Sequence, residues 1–183
     1  MAGSRMPSIF PSISSFEMTV STHSSSALTV AVRGPWVIKR YFKAEADATD
    51  AEQWFDTGDV AILHPDGTLQ LTDRTKDVIK SGGEWISSID VENIAMAHPA
   101  VAMAACIGVR HPKWDERPIV CVVRKPGAEI SREALLAFYE GKTAKWQIPD
   151  DVVFVDAIPL GATGKMLKTK LRDQLKDYAL PGL

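Results

Sequence analysis

The chain has 183 residues, which is enough for one ordinary domain with a hydrophobic core. Apolar residues make up 45% of the sequence and charged residues 24%, which is typical of a globular protein. The formal net charge of −2 provides no basic field to hold a nucleic-acid backbone or an anionic membrane. No apolar run approaches the roughly 20 residues that span a bilayer, and the first residues lack the order of a secretory signal. We therefore expect a cytoplasmic protein with no nucleic-acid partner and no membrane span.

Residues 1–33 differ in composition from the rest of the chain. Serine and threonine are scattered there without a helical or strand period, and charges are few. We expect this segment to be disordered or a non-native extension, left by a tag, a misassigned start codon or a truncation. We assign no function to it.

A turn sequence at residues 64–67, His-Pro-Asp-Gly, predicts a β-hairpin. Pro65 presets φ for the second turn position, and Gly67 supplies a left-handed exit. The flanking residues 60–63 and 68–72 would form its two strands.

The second half of the chain mixes short strands and helices. Ser87 or Ser88 is predicted to cap a helix that ends near residue 98, because Asp90 and Glu92 in its first turn carry the charge that suits a helix N-terminus. Later apolar runs indicate strands covered on both faces, hence a sheet with helices packed on it. The other predicted elements are strands at 77–80, 84–87, 100–109, 119–123 and 152–155, a charged loop at 111–118, and helices from Ser131 to about 140 and from 167 to about 178.

Both cysteines lie inside apolar runs. Cys106 and Cys121 are each flanked by alanine, valine or isoleucine, as a small core residue would be. We therefore predict that they are buried, and we expect neither a disulfide nor a metal site.

Asp59 and Arg74 are the first residues that could do chemistry. Asp59 ends a Thr-Gly-Asp sequence, which is most simply a turn whose carboxylate binds its own backbone. Alternatively, its two acceptor oxygens match two vicinal hydroxyls, such as those of a ribose. Arg74 is either half of a surface ion pair or a permanently charged clamp for phosphate or ribose oxygens. Lys76 and Lys80 would by default lie on a solvated face.

The segment 161–165, Gly-Ala-Thr-Gly-Lys, must be compared with a phosphate-binding P-loop. That motif needs a glycine five residues before the Gly-Lys pair and a serine or threonine after the lysine. Pro159 and Met166 occupy those positions, so the P-loop interpretation fails. Lys165 is then either an inert lysine at a helix entry or a mobile cation delivered to an anionic reacting group.

Four clusters, at residues 54–59, 73–77, 80–85 and 161–165, together resemble the last part of the adenylate-forming enzymes. That family includes acyl-CoA synthetases, luciferases and peptide-synthetase adenylation domains. The resemblance runs from Trp36 to the C-terminus. Within the family, the chain looks most like the fatty-acyl and related carboxylate CoA ligases. Gly-Gly-Glu-Trp-Ile-Ser from residue 82 and His-Pro-Lys-Trp-Asp-Glu-Arg-Pro from residue 111 look like the medium-chain and methylthioalkanoate-type ligases.

The resemblance implies a role for each cluster. Asp59 would bind the ribose hydroxyls of ATP or acyl-AMP, and Arg74 would also bind the nucleotide. Lys76 corresponds to the hinge between a large N-terminal and a small C-terminal domain. Lys165 corresponds to the catalytic lysine that bridges the substrate carboxylate and the α-phosphate. The loop facing the pantetheine arm of CoA during thioester formation would comprise Lys80, Gly82, Gly83, Glu84 and Trp85, although Trp85 could equally be an ordinary packing residue.

The resemblance also implies an architecture. Residues 76–183 would form the C-terminal lid domain, an α+β fold with a small mixed sheet and packed helices. Residues 34–75 would be a remnant of the large N-terminal domain that includes the β-hairpin. The family's phosphate loop, acidic magnesium ligand and acyl pocket belong to that large domain, and residues 1–33 do not resemble them.

Two hypotheses about function follow. In the first, the chain is a fragment of an acyl-CoA ligase that uses ATP, Mg²⁺ and CoA, binds none of them tightly by itself, and is active only with the large N-terminal domain in cis or in trans. In the second, it is a free-standing module without catalysis that binds CoA or a protein, or a degraded gene product.

Overall fold

The computed structural model describes residues 17–22 and 28–182 of the chain. The chain falls into two compact units, one that ends at Lys76 and one that begins at Asp77. Each unit has its own β-sheet.

The unit that ends at Lys76 contains an antiparallel sheet with the strand order β1-β2-β3-β4. Val30, Val60 and Ala61 are buried in it. The strands are β1 (Glu17–Thr22), β2 (Leu28–Arg33), β3 (Phe55–Leu63) and β4 (Leu69–Arg74).

Strands β3 and β4 form the predicted hairpin. Gly67 has a φ of 86°, in the left-handed region, and the N–H of Thr68 donates to Asp66 Oδ1 at 2.9 Å. The pairing of the two strands ends with Asp59 opposite Arg74. The hairpin therefore aligns the two residues that the sequence analysis selected for nucleotide binding.

The structure differs from the disorder expected in residues 1–33. Glu17–Thr22 and Leu28–Arg33 are strands, so the expectation is wrong for these two segments. Each segment alternates Met, Val or Leu with smaller or polar residues over six positions. This alternation is too short to stand out among the surrounding serines. Thr57 Oγ1 donates to the carbonyl of Val30 at 3.0 Å and joins β2 to β3. The remainder of the predicted extension lies outside the described residues.

The unit that begins at Asp77 is α+β, as predicted. Its mixed sheet has the order β6-β5-β8-β7, and β9 pairs with β8 in parallel. The strands are β5 (Ile79–Ser81), β6 (Glu84–Ile86), β7 (Val101–His111), β8 (Asp115–Arg124) and β9 (Asp151–Phe154). The helices are α1 (Ser88–Met96), α2 (Arg132–Phe138) and α3 (Lys168–Gln174), with a 3-10 helix at Lys145–Gln147.

Serine side chains cap α1 and α2, as predicted. Ser87 accepts a hydrogen bond from the N–H of Asp90, and Ser131 accepts one from Ala134, each at 3.1 Å. A cap of this kind stabilises a helix by about 1 kcal/mol. The first turn of α1 contains Asp90 but not Glu92, which is buried instead, so the predicted dipole role of Glu92 is wrong.

Alternate residues of β7 and β8 belong to two apolar clusters. Cys106 packs in one cluster with Leu135 of α2, and Cys121 packs in the other with Leu171 of α3. Because side chains alternate between the faces of a strand, the sheet is covered on both faces, which confirms the prediction. Both cysteines are free and buried, and burial raises the pKa of the Cys121 thiol to about 12, so it is uncharged at neutral pH.

Two predicted element boundaries are wrong. The charged loop expected at 111–118 is mostly strand, because β7 continues to His111 and β8 begins at Asp115, and these two residues pair. The last helix is α3, Lys168–Gln174, and stops short of the expected end near residue 178 because the backbone leaves the helical conformation at Leu175. Among the described residues, no helix is long and apolar enough to cross a membrane.

Candidate functional site

Asp59 and Arg74 lie side by side across β3 and β4. Arg74 Nη1 is 3.2 Å from Asp59 Oδ1 and donates to the carbonyl of Thr57 at 2.9 Å. The side chains are 54% and 25% exposed, so this ion pair contributes only about 0–1 kcal/mol to stability. The arrangement presents a carboxylate and a guanidinium together at the sheet surface, where they can meet hydroxyl groups and anionic oxygens.

The turn before Asp59 uses a different carboxylate. The N–H of Gly58 donates to Asp56 Oδ1 at 2.8 Å, and Gly58 has a φ of 70°. Asp56 thus makes the side-chain bond to the turn backbone that the sequence analysis considered for Asp59. Within the described residues, Asp59 Oδ2 has no hydrogen bond, so it remains available to a hydroxyl donor.

Lys76 is the last residue of the first unit. The N–H of Thr75 donates to the carbonyl of Gly58 at 2.9 Å, so the backbone is held up to the residue before Lys76. The Lys76 side chain is exposed and makes no ion pair with any residue that the structure describes. The hinge role stays a prediction, and its residue falls at the division between the two units.

Gly82 and Gly83 form a two-residue turn, hereafter the glycine turn, between β5 and β6. Their φ values of 61° and 92° lie in the left-handed region that such tight hairpins require and that glycine adopts without strain. A Cβ atom on Gly82 would lie 2.8 Å from Cε3 of Trp114, whereas nothing lies within 4 Å of one on Gly83. Both positions favour glycine because their φ is positive. Position 82 also favours it because a Cβ there would clash with Trp114.

The glycine turn is held from one side by the start of β8. The carbonyl of Trp114 accepts from the N–H of Gly82 at 2.9 Å, and Glu116 Oε2 accepts from the N–H of Lys80 at 3.0 Å. Neither Trp114 nor Glu116 was given a role from the sequence, because their segment was predicted to be a loop. The charged residues of segment 111–118 were the sequence signal that could have pointed to this role.

Arg117 supports the glycine turn through Ser81, the residue that precedes it. Its side chain is only 11% exposed, and its Nη2 is 2.6 Å from Asp150 Oδ1. Nη1 donates to Ser81 Oγ at 3.0 Å and to the carbonyl of Trp146 at 2.7 Å, and Nη2 donates to the carbonyl of Ile148. This residue was not predicted from the sequence, since none of its partners is near it in the chain.

The other predicted thioester-loop residues flank the glycine turn. Lys80 and Glu84 are exposed, and Trp85 is half-buried. Trp85 pairs with Lys80 in the register of β5 and β6. The structure thus gathers all five predicted residues on one short hairpin.

Lys165 lies at the end of a small closed loop, hereafter the lysine loop, at residues 161–165. The N–H of Gly161 donates to the carbonyl of Lys165 at 2.8 Å, and the N–H of Leu167 donates to the carbonyl of Pro159 at 2.8 Å. The Lys165 side chain is exposed, and its Nζ has no hydrogen bond or ion pair with the residues that the structure describes. An ammonium group in this setting is free to meet an external anion.

The predicted site residues form three groups. Asp59 and Arg74 belong to the unit that ends at Lys76. The glycine turn and the lysine loop belong to the unit that begins at Asp77.

Comparison with known proteins identifies the second unit. A family model described as the AMP-binding enzyme C-terminal domain matches residues 90–165. That match ends at the lysine that the sequence analysis selected.

Relatives match most of the chain. It is 60% identical over 151 residues to a 3-methylmercaptopropionyl-CoA ligase of Ruegeria lacuscaerulensis, covering 82% of this chain and 28% of the relative. It is 47% identical over 148 residues to a medium-chain-fatty-acid–CoA ligase of Ectopseudomonas oleovorans, covering 81% of this chain and 27% of the relative.

Solved structures show the same fold. ATP-bound MatB from Rhodopseudomonas palustris matches with a TM-score of 0.78 and 28% identity, over 93% of this chain and 36% of that chain. This chain therefore spans little more than a quarter of the length of the two curated relatives.

Proposed function

Because this chain belongs to the AMP-binding, adenylate-forming enzymes and contains the C-terminal domain of their acyl-CoA ligases, we propose that it supplies the mobile lid of a carboxylate–CoA ligase. In the first step, a carboxylate oxygen attacks the α-phosphorus of ATP, forms the acyl phosphate bond of acyl-AMP and releases pyrophosphate. In the second, the sulfur of CoA attacks the acyl carbon, forms the thioester and releases AMP. ATP, with its Mg²⁺, and CoA are the substrates.

The observation that carries the proposal is the free ammonium group of Lys165. Lysine provides a compact positive charge on a long stem, which can reach a developing negative charge without transferring a proton. We assign Lys165 to the first step, where carboxylate and α-phosphate oxygens share negative charge. Its exposure and its lack of a partner among the described residues support this role.

The glycine turn is assigned to the second step. Glycine leaves the backbone bare, so that a thin thiol arm can pass close to it. The exposure of Lys80, Gly82, Gly83 and Glu84 supports this assignment. A lid that rotates about Lys76 lets one pocket serve both reactions.

Asp59 and Arg74 are assigned to the nucleotide. The carboxylate takes the two ribose hydroxyls, and the guanidinium takes phosphate or ribose oxygens. Their 3.2 Å ion pair supports this, because it holds both groups at one place without burying them.

The proposed reaction needs a large N-terminal domain in cis or in trans. Catalysis requires oriented groups around the reacting atoms, and we assign the phosphate loop and the acyl pocket to that domain. Exposed aromatic side chains in the first unit, Trp36 at 81%, Tyr41 at 59% and Phe42 at 91%, support a partner surface next to residues 34–75. We therefore propose that residues 34–75 are part of that large domain and that this chain alone has no turnover.

We propose a medium-chain or methylthioalkanoate acid as the acyl substrate. The names of the two curated relatives support this class, and so do the resemblances of residues 82–87 and 111–118. We place the reaction in the cytoplasm, which two free and buried cysteines support.

The proposal is tested by separating the two half-reactions. The chain is joined to the N-terminal part of the Ruegeria lacuscaerulensis ligase in place of that protein's matching segment. Adenylation is followed by ATP–pyrophosphate exchange, and thioester formation by the consumption of preformed acyl-AMP with CoA. Lys165→Ala should lower adenylation by about 10²–10³-fold, because it removes one preorganised charge contact, and should spare thioester formation.

Lys170→Ala is the matched control. Lys170 is another exposed lysine, on α3, and should change neither step. Equal losses in both half-reactions for Lys165→Ala would contradict its assignment. If the joined protein shows no adenylation while the 183-residue chain binds CoA by calorimetry, the hypothesis of a non-catalytic binding module replaces the ligase proposal.

A further inference from the structure

A buried lysine lies three residues after Lys165. Lys168, the first residue of α3, is 8% exposed, and its Nζ is 2.7 Å from Glu92 Oε1. Nζ also donates to Ser88 Oγ at 2.7 Å. Glu92 is 6% exposed, and its Oε1 accepts from the backbone N–H of Cys106 at 2.8 Å. None of the roles assigned above uses this network.

Burying an ion pair in a protein core carries a large desolvation cost. Both charges must be removed from water, and apolar side chains of similar volume often stabilise such a position as well or better. Apolar burial, however, is non-directional, whereas a charge pair with further hydrogen bonds defines direction and register. The network around Lys168 therefore indicates that the start of α3 must be held in one defined position.

The position that Lys168 defines is the base of the lysine loop. Lys168 directly follows Leu167, whose N–H bonds to the carbonyl of Pro159 and closes that base. Its partners Ser88 and Glu92 belong to α1, which begins two residues after β6. Lys168 thus joins the loop proposed for the first step to the helix that follows the glycine turn.

We propose that Lys168 is a positioning residue for Lys165: its buried contacts with Glu92 and Ser88 fix the base of the lysine loop to α1, so that the two functional loops move as one body. This inference rests on the proposed function of Lys165. Because the Lys165 side chain has no hydrogen bond or ion pair of its own among the described residues, its location depends on the loop base. A misplacement of 1 Å at a reacting centre can cost about 10²-fold in rate.

The anchoring is tested first without any activity. In the 183-residue chain, amide hydrogen exchange is measured for Gly161 and Leu167, whose N–H groups close the loop. Lys168→Met removes the charge and keeps a long side chain, and should raise the exchange rate of both amides by about tenfold or more. Lys168→Arg keeps the charge and should stay within about threefold of the parent chain. Rates within about twofold of the parent for Lys168→Met would overturn the proposal.

The consequence for Lys165 is tested in the joined protein with the two half-reactions. Lys168→Met should lower adenylation by about tenfold or more and leave thioester formation within about threefold, since the glycine turn has its own supports at Trp114, Glu116 and Arg117. Leu135→Ala is the matched control for lost stability, because it opens a cavity under α2 and removes no hydrogen-bonding group of the lysine network. It should keep adenylation within about threefold at a temperature where both variants are folded.

The outcomes separate the two proposals. Equal losses of adenylation in Leu135→Ala and Lys168→Met would show a purely structural role and overturn the inference. If Lys165→Ala leaves adenylation unchanged, the proposed function of Lys165 fails, whereas the exchange rates still decide whether Lys168 anchors the loop.

Discussion

The glycine turn and the lysine loop are held in opposite ways. At the glycine turn, hydrogen bonds reach the tip itself, because the N–H of Gly82 bonds to Trp114 and the N–H of Lys80 bonds to Glu116. The main-chain hydrogen bonds that close the lysine loop join residues 159–167 to one another, and the Nζ of Lys165 has no hydrogen bond or ion pair among the residues described. The glycine turn is therefore held by neighbouring segments of the fold, whereas the lysine loop is closed on itself and carries a free side chain.

The difference follows from the group that each loop offers. At the glycine turn the backbone is the proposed contact surface, and a backbone surface keeps its shape only if the chain is held at that place. At the lysine loop the proposed group is an ammonium on four methylenes, which can be directed by the anion it meets. The main chain is therefore held at the glycine turn, where it is the proposed contact surface, whereas the Lys165 side chain is left free to move.

Removing the Arg117 side chain should break the support of the glycine turn. Arg117→Met leaves Asp150 without its cation and deprives Ser81 Oγ and two carbonyl groups of a donor, so it should destabilise the second unit by about 3–4 kcal/mol. Calorimetry of the 183-residue chain measures this. Arg124→Met is the control on the same strand, where an exposed arginine over Phe154 is worth about 0.5–1 kcal/mol. Equal losses in the two variants would refute the buried role of Arg117.

Alanine at the two turn glycines should separate conformation from space. Both substitutions place a Cβ at positive φ, which costs about 1–2 kcal/mol. Gly82→Ala also drives a Cβ against Trp114, which must shift and move the turn, so thioester formation should fall by about 10²-fold. Gly83→Ala meets no atom within 4 Å and should lower thioester formation less. Adenylation serves as the internal reference, and a larger loss for Gly83→Ala would contradict the geometry.

The elements that the sequence predicted correctly carry local signals. The hairpin at Gly67, the caps at Ser87 and Ser131, and the apolar strands around Cys106 and Cys121 all depend on residues close together in the chain. Local turn chemistry and periodicity are sufficient for these. The resemblance then identified the clusters with candidate functional residues, whose roles stay predictions.

The supporting residues could not be predicted because their partners are distant in sequence. Arg117 meets Ser81 across 36 residues and Asp150 across 33, and Lys168 meets Ser88 across 80. A charged residue usually indicates a solvated position, so Glu92 was assigned to the first turn of its helix and Lys168 was given no role. Strands β1 and β2 were missed for a related reason, since six alternating residues become a strand only beside β3.

The smallest expected effect concerns Tyr178, which follows the end of α3, the helix that comes after the lysine loop. The Tyr178 hydroxyl donates to Asp151 Oδ2, and the Asp151 carboxyl is 1% exposed and also accepts from the N–H of Val152 at 2.7 Å. Burial, with the bond to Asp151, raises the pKa of Tyr178 from its usual value of about 10 to about 12. The folded state therefore favours the protonated phenol.

A phenol whose folded pKa is raised contributes its full stability below about pH 10, and that contribution disappears as the pH rises to about 12. Tyr178→Phe should thus destabilise the second unit by about 1 kcal/mol at neutral pH. The difference from the parent chain should shrink to nothing between about pH 10 and 12, as measured by urea unfolding across that range. Taking the difference cancels every contribution that the two chains share. Exchange at Gly82 should be equal in the two chains at neutral pH, because the glycine turn has separate supports. A stability difference that stays constant up to pH 12 would show that the Tyr178 phenol does not contribute through its proton.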